Sequence, residues 1–215
     1  MIRDMISYDF YTIILVLGIL IIAIAKLTSP KRFDDFVSVL GNSKYIKIYS
    51  REQKILDTLE TLLYTNIILS TSLFSFIMYQ FFTKTNTLSI DLMIKISFGI
   101  CIFILIKVLF ERLIGSLLEI DAAIDQYLFQ KISYKNFLGV LLIPINAFLI
   151  FSFSPTLLFF YIIFALLFIV IIIGLITSLK THQSLIKHNL FYFILYLCTL
   201  EIAPFIILYK VYISK

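Results

Sequence analysis

Apolar residues in this chain come in long continuous runs separated by short polar connections, without the two-residue alternation of half-buried strands. Runs at about 10–25, 61–82, 90–110, 137–153, 155–179 and 190–209 approach or reach the roughly 20 residues a helix needs to cross a bilayer. A membrane β-barrel would show alternating segments of about ten residues, so the spans are helices, which satisfy their own backbone groups. The pattern predicts an all-α polytopic transmembrane bundle of about six spans, one integral membrane domain over residues 1–215.

The connections carry the orientation. Segments 26–60, 111–136 and 180–189 hold nearly all the loop Lys and Arg, including Lys26, Lys31, Arg32, Lys44, Lys47, Arg51 and Lys54 in the first. Basic connections stay cytoplasmic, so these segments are placed inside and both termini in the periplasm. Ala23-Ile24-Ala25 imitates a signal-peptidase site, but cleavage there would strand the most basic loop outside.

Two amphipathic helices are expected on the cytoplasmic side. Ser29-Pro30 supplies an N-cap and first-turn proline, and Phe33, Phe36, Val37 and Leu40 follow at helical spacing until Gly41-Asn42. This short helix, residues 31–41, is expected to rest on lipid headgroups or to meet a partner. The third span is expected to continue unbroken to about Gln130, with Phe110, Leu113, Leu117, Ile120, Ile124 and Tyr127 on one face and Glu111, Arg112, Glu119, Gln126 and Gln130 largely opposite. In the second span Thr58, Thr65, Ser72 and Tyr79 recur every seven residues, flanked by Thr61 and Ser75, and are expected to form a helix-packing seam. The fifth span is uniformly aliphatic and aromatic and is expected to face lipid.

Composition agrees: 61% hydrophobic, 14% charged and a mean hydropathy of +1.03 exceed what one soluble core of 215 residues could hide. The net charge of +5 reflects loop sorting and implies no nucleic-acid partner. Cys101 and Cys198 lie in apolar runs and read as packing residues.

Candidate chemistry is sparse. Glu201 stands at the midpoint of the last span, and an acid there costs a few kcal/mol to insert, so it faces other helices or water. Pro204 lacks an N–H and frees the Leu200 carbonyl beside it, and Tyr196 sits in the same span. Span four places Pro144 and Asn146 at comparable depth, so Asn146 is the expected partner of Glu201 and Lys107, on span three, the alternative. Asp121 and Asp125 share a helical face but are too few oxygens for a hard cation. His182 and His188 lack the i, i+4 spacing of a helical metal pair. No catalytic motif, cofactor fingerprint or metal set is found, so no enzymatic activity, cofactor or metal is predicted.

The residues Phe191-Tyr192-x3-Tyr196-Leu197-Cys198-Thr199-Leu200-Glu201-Ile202-x-Pro204, with Gly139-x4-Pro144 upstream, resemble an uncharacterised domain family of Bacteroidota inner-membrane proteins. The resemblance implies a bacterial inner membrane and an envelope process such as secretion or gliding, with no established activity or cofactor. The expected function is a non-enzymatic scaffold or assembly component that meets an envelope protein through helices 31–41 and 111–130. The alternative is a small transporter or proton-coupled component using Glu201 at the bilayer midplane.

Overall fold

The computed structural model describes residues 9–42, 44–50, 57–84, 90–117, 121–151 and 156–181. Among them nearly every residue is helical and none is in a strand. The elements are α1 (Asp9–Thr28), α2 (Pro30–Val37) running into a 3-10 turn (Ser38–Leu40), α3 (Lys44–Tyr49), α4 (Thr58–Thr83), α5 (Ile90–Leu117), α6 (Asp121–Phe151) and α7 (Leu157–Thr181). Five of these helices, α1, α4, α5, α6 and α7, are long and apolar enough to cross a membrane. The sixth expected span, 190–209, lies outside the described residues.

Helix α4 is central and packs against α1, α5 and α6, while α6 also receives α7. Its buried positions Glu60, Leu63, Ile67, Ser70, Phe74 and Ile77 repeat at three and four residues. On α6 the stripe Phe129, Asn136, Gly139, Ile143 and Asn146 is buried at the same kind of spacing. The two stripes meet in parallel: Glu60 lies by Asn136, Ile67 by Gly139 and Ser70 by Asn146. Gly139 permits the closest approach. A Cβ there would stand 2.6 Å from the Ile67 Cβ and 2.7 Å from its Cα. Small residues let helix backbones close up in lipid, where no hydrophobic drive pushes apolar helices together.

Helices α1, α5 and α7 run opposite to α4 and α6. Tyr11 at the start of α1 donates to Gln80 near the end of α4 at 2.6 Å, within a cluster that also holds Phe76, Met93, Leu149 and Phe160. A second cluster, with Ala25, Phe33, Phe36, Tyr45, Leu59, Leu63, Phe129 and Tyr134, closes the other end of the bundle. There α2, the 3-10 turn and α3 form a cap.

Several sequence expectations change. Helix α2 forms where Ser29-Pro30 predicts, but the Ser29 side chain makes no cap bond, and its carbonyl instead accepts from the Phe33 N–H at 2.9 Å. Its apolar face turns inward, onto the protein itself. Phe36 is fully buried, with its ring 5.6 Å from Tyr45 and 6.2 Å from Phe137. Of the face expected to rest on headgroups or a partner, Phe33 and Phe36 are thus occupied within the chain, whereas Val37 stays exposed.

The hydroxyl seam of span two is not the packing face. Ser72 is buried, whereas Thr58, Thr65 and Tyr79 are exposed. Thr61, Thr65, Ser72 and Thr83 donate to carbonyls four residues back in their own chain, so these hydroxyls need no second helix.

The helix expected to run unbroken from 90 to 130 is two helices. Lys131 Nζ lies 2.5 Å from Glu111 Oε1, and Arg112 Nε lies 3.3 Å from Asp125 Oδ1. One straight helix would hold Glu111 and Lys131 about 30 Å apart. The polarity of its first part is also reversed: Phe110, Leu113 and Leu117 are exposed, and Glu111 is buried. In a bilayer the apolar face belongs outside and the charge inside, paired. Most of α5 is outward-facing in this way, as is much of α7, the span expected to face lipid.

Gly139→Ala is expected to force α4 and α6 apart and to cost at least about 1–3 kcal/mol, the usual penalty of overpacking. Gly99→Ala, where a Cβ meets nothing within 4 Å, is expected to stay within about 0.5 kcal/mol of the parent. Thermal unfolding of both variants in one detergent checks the contrast.

Candidate functional site

Among the described residues, the densest buried polar cluster lies where the cap meets α4 and α6. Asp57 begins it: as N-cap of α4, its carboxylate accepts from the Thr58 N–H at 2.7 Å and also pairs with the Arg32 guanidinium. One turn on, Glu60 faces inward and is only 4% exposed. Its carboxylate accepts from the Tyr45 hydroxyl and, at 2.9 Å, from Asn136 Nδ2, while Arg32 Nη2 stands 3.9 Å away.

Each element delivers one group. Arg32 comes from α2, Tyr45 from α3, Asp57 and Glu60 from the start of α4, and Asn136 from α6. Aromatic packing seats them: the Tyr45 ring stacks on Phe129 at 5.7 Å, and the Arg32 guanidinium lies 4.8 Å above the Tyr49 ring. On the cap's flank Lys44 pairs with Asp35 at 3.1 Å.

Burial above all, then the charge and hydrogen bond of Glu60, pushes the Tyr45 phenol well above its ordinary value, against a lowering pull from Arg32. It therefore remains a hydrogen-bond donor at neutral pH. Two carboxylates share one guanidinium here, and the Tyr45 hydroxyl and the Asn136 amide supply the neutral donors that a buried carboxylate requires. Chemically the arrangement is a latch: it fixes the cap to the bundle, and its carboxylates are occupied by protein donors.

A second polar group lies deeper, between α4 and α6. Asn146 is fully buried, and its Nδ2 donates to the Ser70 carbonyl at 2.9 Å. Of the residues singled out from sequence, Asn146 is the one that the structure places in a buried polar contact. Pro144, two positions away, is exposed on an α6 that stays helical through it, and Lys107 is part-buried on α5. Glu201, Pro204 and Tyr196 lie outside the described residues. Asp125 is engaged by Arg112.

Sequence reasoning missed Glu60, Arg32, Tyr45, Asn136 and Ser70. A signal for two of them existed: Glu60 and Ser70 fall on the three-and-four stripe of α4, whose other members are apolar.

Arg32→Ala would leave Glu60 and Asp57 without their shared cation, and a loss of about 3 kcal/mol is expected in unfolding measurements. With Glu60→Leu added, the combined loss is expected to fall short of the sum, because the two residues act on each other. Folding raises the Tyr45 pKa above an unfolded value of about 10, so its contribution is complete below about pH 10 and fades as pH rises past it. The stability advantage of the parent over Tyr45→Phe is thus expected to hold to about pH 10 and to shrink above it in thermal scans.

No curated protein and no solved structure shows a match to this chain. One family does, over nearly the whole length, and the chain belongs to it: the family described as domain of unknown function DUF4271, matched across residues 11–212.

Proposed function

We propose that the protein is a non-enzymatic scaffold or assembly component of a bacterial envelope process, seated in the inner membrane with its cap in the cytoplasm. The observation that carries this reading is the latch. A basic segment that the sequence presents as a short interfacial helix with its linker is folded onto the bundle by Arg32, Tyr45, Asp57, Glu60 and Asn136. A surface held rigid before a partner arrives loses less conformational freedom on binding, which suits a docking platform.

Charge supports the orientation. Lys26, Lys31, Arg32, Lys44 and Lys47 gather at the cap end, joined by Arg112 near the end of α5 and by Lys131 and Lys135 of α6. The outer face of the cap offers Lys31, Asp34, Lys47 and Ile48 to a partner, since Phe33 and Phe36 are spent inside. From the other contact region, Arg112 and Leu113 are exposed. The second reading, a small transporter or proton-coupled component using Glu201, draws on the buried amide of Asn146 in the bundle interior.

Crosslinking in the native membrane followed by mild-detergent purification separates the two. An envelope partner recovered in fixed ratio with the parent and with Glu201→Gln, but severalfold less with Arg32→Ala at equal membrane level, is the scaffold result. Purification of the protein alone, with proton or ion flux after reconstitution that Glu201→Gln abolishes, would sink it.

A further inference from the structure

The contact between Asn146 and Ser70 borders a cavity of about 10 Å³ at the junction of three spans. Leu15 and Gly18 of α1, Ser70 and Leu73 of α4, and Ile143 and Asn146 of α6 line it. A space of that size is at the lower limit of what holds one water molecule. Its walls are mostly apolar, but two of the lining side chains are polar, and both are buried.

Asn146 has spent only half of its carboxamide. Its Nδ2 is bonded to the Ser70 carbonyl, whereas Oδ1 is buried and has no partner in the protein. An unmet buried acceptor keeps its full desolvation cost, so a donor at that atom is strongly favoured. Next to the cavity stands Asn66 of α4, fully buried, with neither end of its carboxamide partnered. Its Oδ1 lies 3.4 Å from where a Cβ on Gly18 would be. The absence of that Cβ keeps the polar corner open, since it would also stand 3.0 Å from Ile143 Cδ1.

We propose that this junction is a binding site for a single water molecule, which donates to Asn146 Oδ1 and bonds the Ser70 side chain. Water suits the site better than a cation does. The lining groups are neutral, no carboxylate borders the cavity, and a bare ion would be an uncompensated charge deep in the bundle. The bound water completes the polar contact that fixes the register of α4 on α6.

Radical footprinting of the protein in nanodiscs, with isotopically labelled water mixed in before exposure, tests the site. Leu15, Leu73 and Ile143 are expected to take up label severalfold above Leu63, a buried leucine of α4 away from the cavity. Asn146→Leu and, separately, Ser70→Ala are each expected to bring that labelling down to the Leu63 level while the protein still purifies folded. Labelling of the three residues no higher than Leu63 in the parent would overturn the proposal. So would a rise in unfolding temperature with sodium or potassium in place of choline that Asn146→Leu abolishes, because the ligand would then be a cation.

Discussion

Everything else in the bundle is arranged around the parallel seam between α4 and α6. Its closest point is the bare Cα of Gly139 against Ile67, and on either side a polar side chain crosses from one helix to the other: Asn136 to Glu60, and Asn146 to the Ser70 carbonyl. In lipid, burying apolar surface between helices gains little, because the tails are as apolar as leucine. Close packing and hydrogen bonds decide which helices stay together. The seam supplies both. Helix α1 then packs on α4 and α6, α5 attaches through the Glu111 to Lys131 pair, and α7 lies along α6 with Gly174 against the Tyr134 ring.

The same rule explains the latch at the cap end. Glu60 is the first member of the α4 stripe, and a carboxylate there must be matched by donors. The chain brings them from three directions, with Arg32 and Tyr45 supplied by the segment between α1 and α4. Seating that segment and satisfying Glu60 are one event, which is why the apolar face of α2 is used inside the protein. The cap thereby passes from basic linker to structured surface, and this change gives the scaffold reading its footing.

Chain order hides these relations. Glu60 and Asn136 are far apart in sequence, and so are Arg32 and Asp57. Glu60 stands among other acidic residues at the edge of a basic segment, where a charged side chain normally meets water. Only the stripe it shares with Leu63, Ile67 and Ser70 marks it as inward-facing. The hydroxyl repeat from Thr58 to Tyr79 was the more visible pattern and the less informative one, since hydroxyls in a helix can bond their own backbone. The end of α5 before α6 was hard to read for a related reason. Both flanking helices carry apolar residues at helical spacing, no Pro lies between them, and Gly115 in the last turn of α5 is the one breaker near the break.

The sequence by itself determined the class of molecule, a helical bundle with several helices long and apolar enough to cross a membrane. Run length and hydropathy are local properties, and a backbone in lipid has helix as its one open-ended solution. It also determined where α2 begins, because proline at a first turn acts locally. Tertiary structure alone decided which face of most helices turns inward, that Glu111 is buried, which donors meet Glu60 and that Asn146 bonds to Ser70. A transmembrane helix is apolar on nearly every side, so its own sequence carries little record of which side meets a neighbour. That choice rests on the few small and polar residues able to find a partner across the contact.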